Sequence, residues 1–228
     1  MGDSDETNTE ASWLRTPPTN SEEIASLYDT WAPNYEHELV DQWHYDAPVV
    51  AGRTVAELLQ GSGTASVLDL GCGTGLVGKA LHDGGIRIID GVDVSDTSLN
   101  AAQASGFYRQ TILHDFNHGP LPFEAHLYDA AISVGVLSYA LDPMAVIREL
   151  CRVVVPNGPV VFTHRTDLWD AQKLDVHLNA LLDGGEIRAV NWSEPRPYMP
   201  GNPTEGDLQI RYVSITTSEK SAAVNELG

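Results

Sequence analysis

Apolar positions recur at helical spacing early in the chain. Ile24, Leu27, Tyr28 and Trp31 fall at i, i+3, i+4 and i+7, one face of a helix. Thr19 and Glu22 fit a capping box at its start, and Pro33 interrupts it. A second short helix is predicted from residue 34 to about 41, and a third over 48–60, closed by Gly61-Ser62-Gly63. From there short apolar runs alternate with amphipathic ones. Strands are predicted over 65–70, 86–93, 110–114, 128–134 and 159–164. Helices are predicted from residue 76 to about 82, over 96–105, from Asp142-Pro143 onward, and over 167–182. The run at 128–134 is nearly all apolar, the mark of a strand buried on both faces. The end of the chain changes character. Residues 186–192 and 208–217 read as two strands joined by a loop holding Pro195, Pro197, Pro200 and Pro203, with no helix between them. Five β/α units followed by such a pair predict an α/β fold: a doubly wound, seven-stranded, mostly parallel sheet with an antiparallel C-terminal strand pair.

Composition narrows the function. The 228 residues suit one domain, and 42% are apolar, so a substantial core is expected. Residues 1–18, with Asp3, Asp5, Glu6, Glu10 and Pro17-Pro18, read as an acidic tail. The folded domain is expected over 19–218, with a helical cap at 19–47. The net charge is -19 with three lysines, a surface that repels phosphate backbones and argues against nucleic acid as partner. No apolar run approaches the roughly 20 residues of a membrane span, and the acidic start is not a secretory signal, so no membrane partner and a cytoplasmic location are expected. Cys72 and Cys151 lie far apart, which suggests neither a disulfide framework nor a zinc cluster, and no metal is expected.

The candidate chemistry centres on Val67-Leu68-Asp69-Leu70-Gly71-Cys72-Gly73-Thr74-Gly75, a strand that breaks into a glycine turn before a helix. Residues without a Cβ let a ligand approach the backbone, and the following helix aims its free N–H groups into the same space. Two readings compete. Gly73-Thr74-Gly75-Leu76-Val77-Gly78 fits the G-x-G-x-x-G dinucleotide fingerprint of a nicotinamide-dependent oxidoreductase. Against it, Asp69 at the strand end would repel a pyrophosphate but suit a ligand ammonium.

The longer string D-L-G-C-G-T-G, residues 69–75, resembles motif I of the class I S-adenosylmethionine-dependent methyltransferases, and the likeness extends over roughly residues 24–217. The resemblance implies a Rossmann-like sheet and S-adenosyl-L-methionine as cofactor. It implies that Asp69, Gly71, Cys72, Gly73 and Gly75 line the methionine and ribose parts of that cofactor. It assigns Asp93, in Gly91-Val92-Asp93-Val94-Ser95, to the ribose hydroxyls, with Val94 beside it. It assigns Asp115 to the adenine amino group, with Phe116 as a ring contact, and it carries Ser133 of the fourth-strand segment and Tyr28 of the cap as further cofactor contacts. Val155-Pro156-Asn157-Gly158 stands where the family often has proline and two glycines. Tyr28-Asp29-x-Trp31-Ala32-x-x-Tyr35, followed by Tyr45-x-Ala47-Pro48, is similar to the N-terminal segment of methyltransferase-like proteins of the Williams–Beuren-region type.

Methyl transfer from a sulfonium needs an aligned nucleophile and excluded water, and a neutral acceptor also needs a base. Five aromatics between Tyr28 and Tyr45 suggest a lid or a core-docked face. Tyr28, Tyr35, His44 and His164 are the candidate acceptor-side groups; Arg165 and Arg211 are weaker ones. The Asn/Asp-Pro-Pro-Tyr string of amino-methylating relatives is absent, since Ser133-Val134-Gly135-Val136 stands there. A small-molecule acceptor, with its oxygen, nitrogen or sulfur nucleophile unassigned, and a monomer or homodimer are expected. A cofactor-binding protein without turnover is the third reading.

Overall fold

The computed structural model describes Glu23, Ser26 and residues 37–221. The predicted capping box, most of the first helix, Tyr28, Trp31 and Tyr35 lie outside the described residues.

The described chain opens with a π-helical turn, His37–Gln42, that buries Leu39. Helix α1 (Ala47–Leu58) follows, with proline in its first turn. Then come β1 (Ser66–Leu70), α2 (Leu76–Asp83), β2 (Ile88–Asp93), α3 (Asp96–Ala104), β3 (Gln110–Leu113) and β4 (Ala130–Ser133). Helix α4 (Pro143–Val153) leads to β5 (Pro159–Arg165). The Asp142 carboxylate caps α4 by accepting the Met144 and Ala145 N–H groups, an arrangement worth about 1 kcal/mol.

The sequence predicted one helix over 167–182; the structure has two, α5 (Thr166–Ala171) and α6 (Leu174–Asp183). Lys173 takes φ 49 between them. Trp169 and Leu174 are both buried, yet five residues apart on one helix they would point about 140° apart. The break turns both toward the core.

The last strands are β6 (Ile187–Trp192), β7 (Arg196–Pro197) and β8 (Gln209–Thr217). The sheet has eight strands, not seven, in the order β3-β2-β1-β4-β5-β8-β6, with β7 pairing β8. The extra strand is two residues of the proline-rich loop laid against Ile210 and Gln209. Strand β8 runs antiparallel between β5 and β6, so the predicted antiparallel pair is present and β8 is its inserted member.

Two cores flank the sheet. Residues of α1, α2 and α3, with Tyr108 and Tyr198, pack on one face. Residues of α4, α5 and α6, with Tyr128 and Trp169, pack on the other. From β1 the chain winds through β2 and β3 to one side and returns to β4 on the other. The switch point therefore lies between the carboxyl ends of β1 and β4, where open α/β sheets bind ligands. No helix among the described residues is long and apolar enough to cross a membrane.

Candidate cofactor site

The turn after β1 is built by its glycines. Gly71, Gly73 and Gly75 take φ 72, 51 and 110, conformations that side chains rarely adopt. The Gly71 and Cys72 N–H groups both donate to the Val92 carbonyl, at 2.7 and 3.0 Å, which ties the turn to the end of β2. A Cβ on Gly71 would come 2.2 Å from Val136 Cγ2, so this glycine lets the β4 loop close against the turn. A Cβ on Gly73 would meet nothing within 4 Å. Gly73 is the residue of the turn that faces open space, as a ligand-approached backbone must.

Asp93, at the end of β2, stands beside it. Its Oδ2 accepts the Gly73 N–H at 2.9 Å and its Oδ1 accepts the Ser95 N–H at 3.0 Å. The Ser95 hydroxyl in turn caps α3 by accepting the Ser98 N–H. Each Asp93 oxygen thus accepts a backbone donor, which fixes the carboxylate beside the open Gly73. Val94, next along, is half-buried.

Asp69 is fully buried on β1. Its Oδ2 accepts the Tyr108 hydroxyl at 2.6 Å, and Oδ1 has no hydrogen-bond partner. Burial pushes its carboxyl up to about 7, the Tyr108 bond pulls it down, and the Asp93 charge pushes it up again. An orphaned, buried acceptor at the base of the turn fits a ligand carrying a cationic donor. The same tyrosine explains Gly78, the last glycine of the rival dinucleotide pattern. Its N–H donates to the Tyr108 hydroxyl at 3.0 Å, and a Cβ there would lie 2.4 Å from the ring. Cys72 is buried; burial first, then Asp69 and Asp93, raises its thiol well above the ordinary range, so it is no nucleophile.

The remaining expected contacts sit as follows. Asp115, after β3, accepts the Asn117 N–H at 2.9 Å and holds His118 Nδ1 at 2.6 Å. Phe116 is half-buried against the second core. The Ser133 hydroxyl is buried and donates to the Leu70 carbonyl at 2.9 Å, joining β4 to the start of the turn.

On the acceptor side the structure separates the candidates. His44 is exposed, with φ 57. His164 is fully buried on the α5 face, edge-on to Trp169, with Nδ1 donating to the Arg165 carbonyl at 3.0 Å. Burial lowers its pKa, which keeps the ring neutral. That setting packs the strand end rather than exposing a base. Arg165 is likewise buried and closes a fork on Asp167, at 3.1 and 2.6 Å, beneath the Tyr139 ring. The Arg211 guanidinium donates to the Ser193 carbonyl and lies over Trp169.

Sequence reasoning missed Tyr198 and left Tyr45 in a general aromatic set. A Cβ on Gly135, just past β4, would lie 2.9 Å from the Tyr45 hydroxyl and 3.1 Å from that of Tyr198. The two rings meet edge to face at 5.4 Å. Tyr198 comes from the proline-rich loop, 63 residues beyond Gly135, and no local pattern marks it.

The comparisons with known proteins agree with this fold. A family described as Methyltransferase domain matches residues 68–162. The chain is 38% identical over 158 residues to human Methyltransferase-like protein 27, covering 69% of this chain and 63% of that protein. It is 30% identical over 158 residues to the malonyl-[acyl-carrier protein] O-methyltransferase of Serratia marcescens, covering 64% and 61%. Both matches span less than two thirds of the relative's length. Among solved structures, the Haemonchus contortus phospholethanolamine N-methyltransferase 2, in complex with phosphomonomethylethanolamine and S-adenosylhomocysteine, superposes with a TM-score of 0.63 at 11% identity, covering 88% of this chain and 60% of that one. Residues 68–162 carry a methyltransferase domain, in the fold of the class I S-adenosylmethionine-dependent enzymes, and S-adenosyl-L-methionine is the cofactor of that domain.

Two glycines of the turn then separate folding from binding. Gly73→Ala meets no neighbour and should cost the free protein only the left-handed strain, about 1–2 kcal/mol, while weakening S-adenosylhomocysteine about tenfold or more. Gly71→Ala adds to the same strain a collision with Val136, about 1–3 kcal/mol more, and should melt lower than Gly73→Ala even without ligand. Adding Val136→Ala should recover part of that loss. Melting curves and calorimetric titration of the three variants check both halves.

Proposed function

We propose that this protein transfers the methyl group of S-adenosyl-L-methionine to a small-molecule acceptor at the carboxyl edge of β4 and β5. The observation that carries the reading is the pairing of an open Gly73 with an Asp93 carboxylate held by two backbone N–H groups, at the carboxyl ends of β1 and β2 beside the topological switch point. Asp93 would accept the ribose hydroxyls, Asp69 would face the methionine ammonium, and the backbone of Gly71 to Gly75 would line the rest. Asp115 with Phe116 would meet the adenine, and Val94 and Ser133 would border the pocket. The cofactor supplies an electrophilic methyl on a sulfonium whose thioether is a built-in leaving group. The protein's part is alignment and exclusion of water. Tyr45 and Tyr198 would serve as hydrogen-bonding groups on the acceptor side, beside Gly135, with Tyr28 and Tyr35 as further contributors. The charge of -19 favours a small acceptor over nucleic acid, and two O-methyltransferase names among the relatives accord with an oxygen nucleophile. A cytoplasmic monomer or homodimer, with a domain over 19–218, completes the reading.

The test is thermal melting with S-adenosylmethionine, S-adenosylhomocysteine, NAD and NADP in turn. Ligand at 100 times its dissociation constant adds about 2.7 kcal/mol. In a chain of this size that raises the melting point by roughly 5–10 °C. The sulfur cofactors alone are expected to do so; a rise with NAD or NADP alone would sink the reading. Acceptors are then screened by a 14-dalton gain in product mass, roughly one CH₂.

A further inference from the structure

Tyr108 lies outside the motif that defines the site, on the approach to β3, yet it is bound into the glycine turn. Its hydroxyl donates to Asp69 Oδ2 at 2.6 Å and accepts the Gly78 N–H at 3.0 Å. Its ring fills room left by absent side chains: a Cβ would come within 2.4 Å of it from Gly78, 3.1 Å from Gly91 and 3.2 Å from Gly75. Helix α2 needs this hydroxyl. Its N-cap is Gly75, which has no side chain to accept one of the first helical N–H groups, and Gly78 is the third residue of that helix. The phenol is buried, and so is the unpartnered Asp69 Oδ1.

We infer that Tyr108 is the positioning residue of the cofactor turn. By occupying Oδ2 it leaves Oδ1 of Asp69 to a cationic donor on the ligand, and by capping α2 it fixes the turn against that carboxylate. The inference rests on the reading of this turn as the S-adenosylmethionine site.

Three titratable groups face Asp69: Tyr108 from the β3 approach, Cys72 from the turn and Asp93 from β2. Burial lifts Tyr108 and Cys72 well above their ordinary ranges, so neither ionises near neutrality. Asp69 rises from its ordinary 3.8 to about 7, mainly through burial. The folded free protein therefore keeps a proton that the unfolded chain releases, and its stability falls as pH rises between those two values. A ligand ammonium beside Oδ1 favours the carboxylate. Binding then expels that proton below about pH 7, and affinity rises with pH until it levels off above.

The experiment is calorimetric titration with S-adenosylhomocysteine from about pH 5.5 to 8.5, in buffers of differing ionisation enthalpy. It compares the full chain with Tyr108→Phe and Asp69→Asn. The wild-type protein is expected to release a proton on binding at the acid end. Tyr108→Phe keeps the ring and loses both bonds. It should bind about tenfold more weakly near neutrality, with its proton-release midpoint moved to higher pH because the bond that held Asp69 down is gone. Asp69→Asn should show no linked proton and a flat pH profile. Wild-type protein that binds no S-adenosylhomocysteine at any pH overturns the cofactor reading itself. Wild-type binding with Tyr108→Phe unchanged in affinity and midpoint overturns the role of Tyr108, even if that variant melts lower. Should Tyr108→Phe not fold, Asp69→Asn decides, since a retained pH profile overturns the proposal.

Discussion

Asp93→Ala is expected to weaken S-adenosylhomocysteine at least about 100-fold, two factors of ten at 1.4 kcal/mol each. On the proposed reading the carboxylate accepts two ribose hydroxyls, and a hydrogen bond to a charged group contributes about 1.5–3 kcal/mol. Alanine removes both and also frees the Gly73 and Ser95 N–H groups that Asp93 now accepts. The turn loses the tie between Gly73 and the end of β2. Asp93→Asn should fall between. Its amide keeps one acceptor oxygen but turns an NH2 toward one of the two backbone donors. The free protein should melt only modestly lower, because the Gly71 and Cys72 bonds to Val92 remain. Titration and ligand-dependent melting measure the loss. Binding of Asp93→Ala within threefold of wild type, roughly 0.6 kcal/mol, would remove Asp93 from the ribose.

Asp90→Ala should have the largest effect on stability and little on the cofactor. Asp90 is fully buried in the middle of β2 and accepts from Arg109 Nε and Nη2, Gln110 Nε2 and the Tyr128 hydroxyl, at 2.5–2.8 Å. Burial works to raise its pKa, but these bonds outweigh it and hold the carboxyl below the ordinary range. Arg109 is half exposed and Gln110 is exposed, so both can return to water, and the cost falls on the lost network and on the buried Tyr128 phenol left without an acceptor. A loss of about 3–4 kcal/mol, or roughly 6–16 °C in melting point, is expected. Because the folded pKa is depressed, the wild-type contribution is present above about pH 4 and is lost as the pH falls through the folded value. Affinity of Asp90→Ala for S-adenosylhomocysteine should stay within about twofold, since Asp90 faces the α4 side of the sheet with Tyr128. A variant that melts like wild type at pH 7 would refute this account.

Much of the frame was legible because its causes are local. Apolar runs bounded by Gly61-Ser62-Gly63, Asp83-Gly84-Gly85 and Asn157-Gly158 marked β1, β2 and β5 to within two residues. Asp142-Pro143 marked the start of α4, where the carboxylate caps and the proline opens. The break at Lys173 was not legible, because no proline or glycine causes it; the need to bury both Trp169 and Leu174 does. Nor was β7, two residues paired only because Ile210 and Gln209 lie alongside.

The site divides the same way. The sequence by itself determined the glycine turn and Asp93, because positive φ and a carboxylate at a strand end are written in residue type and spacing. Tertiary structure alone decided that Tyr108 holds Asp69 and Gly78, that His164 is packed away from the open edge, and that Tyr45 and Tyr198 converge on Gly135. Those facts join residues 30 to more than 150 positions apart. Such contacts depend on which strands neighbour and which face each side chain takes, and a pattern read along the chain carries turn chemistry but not the partners that folding brings across the sheet.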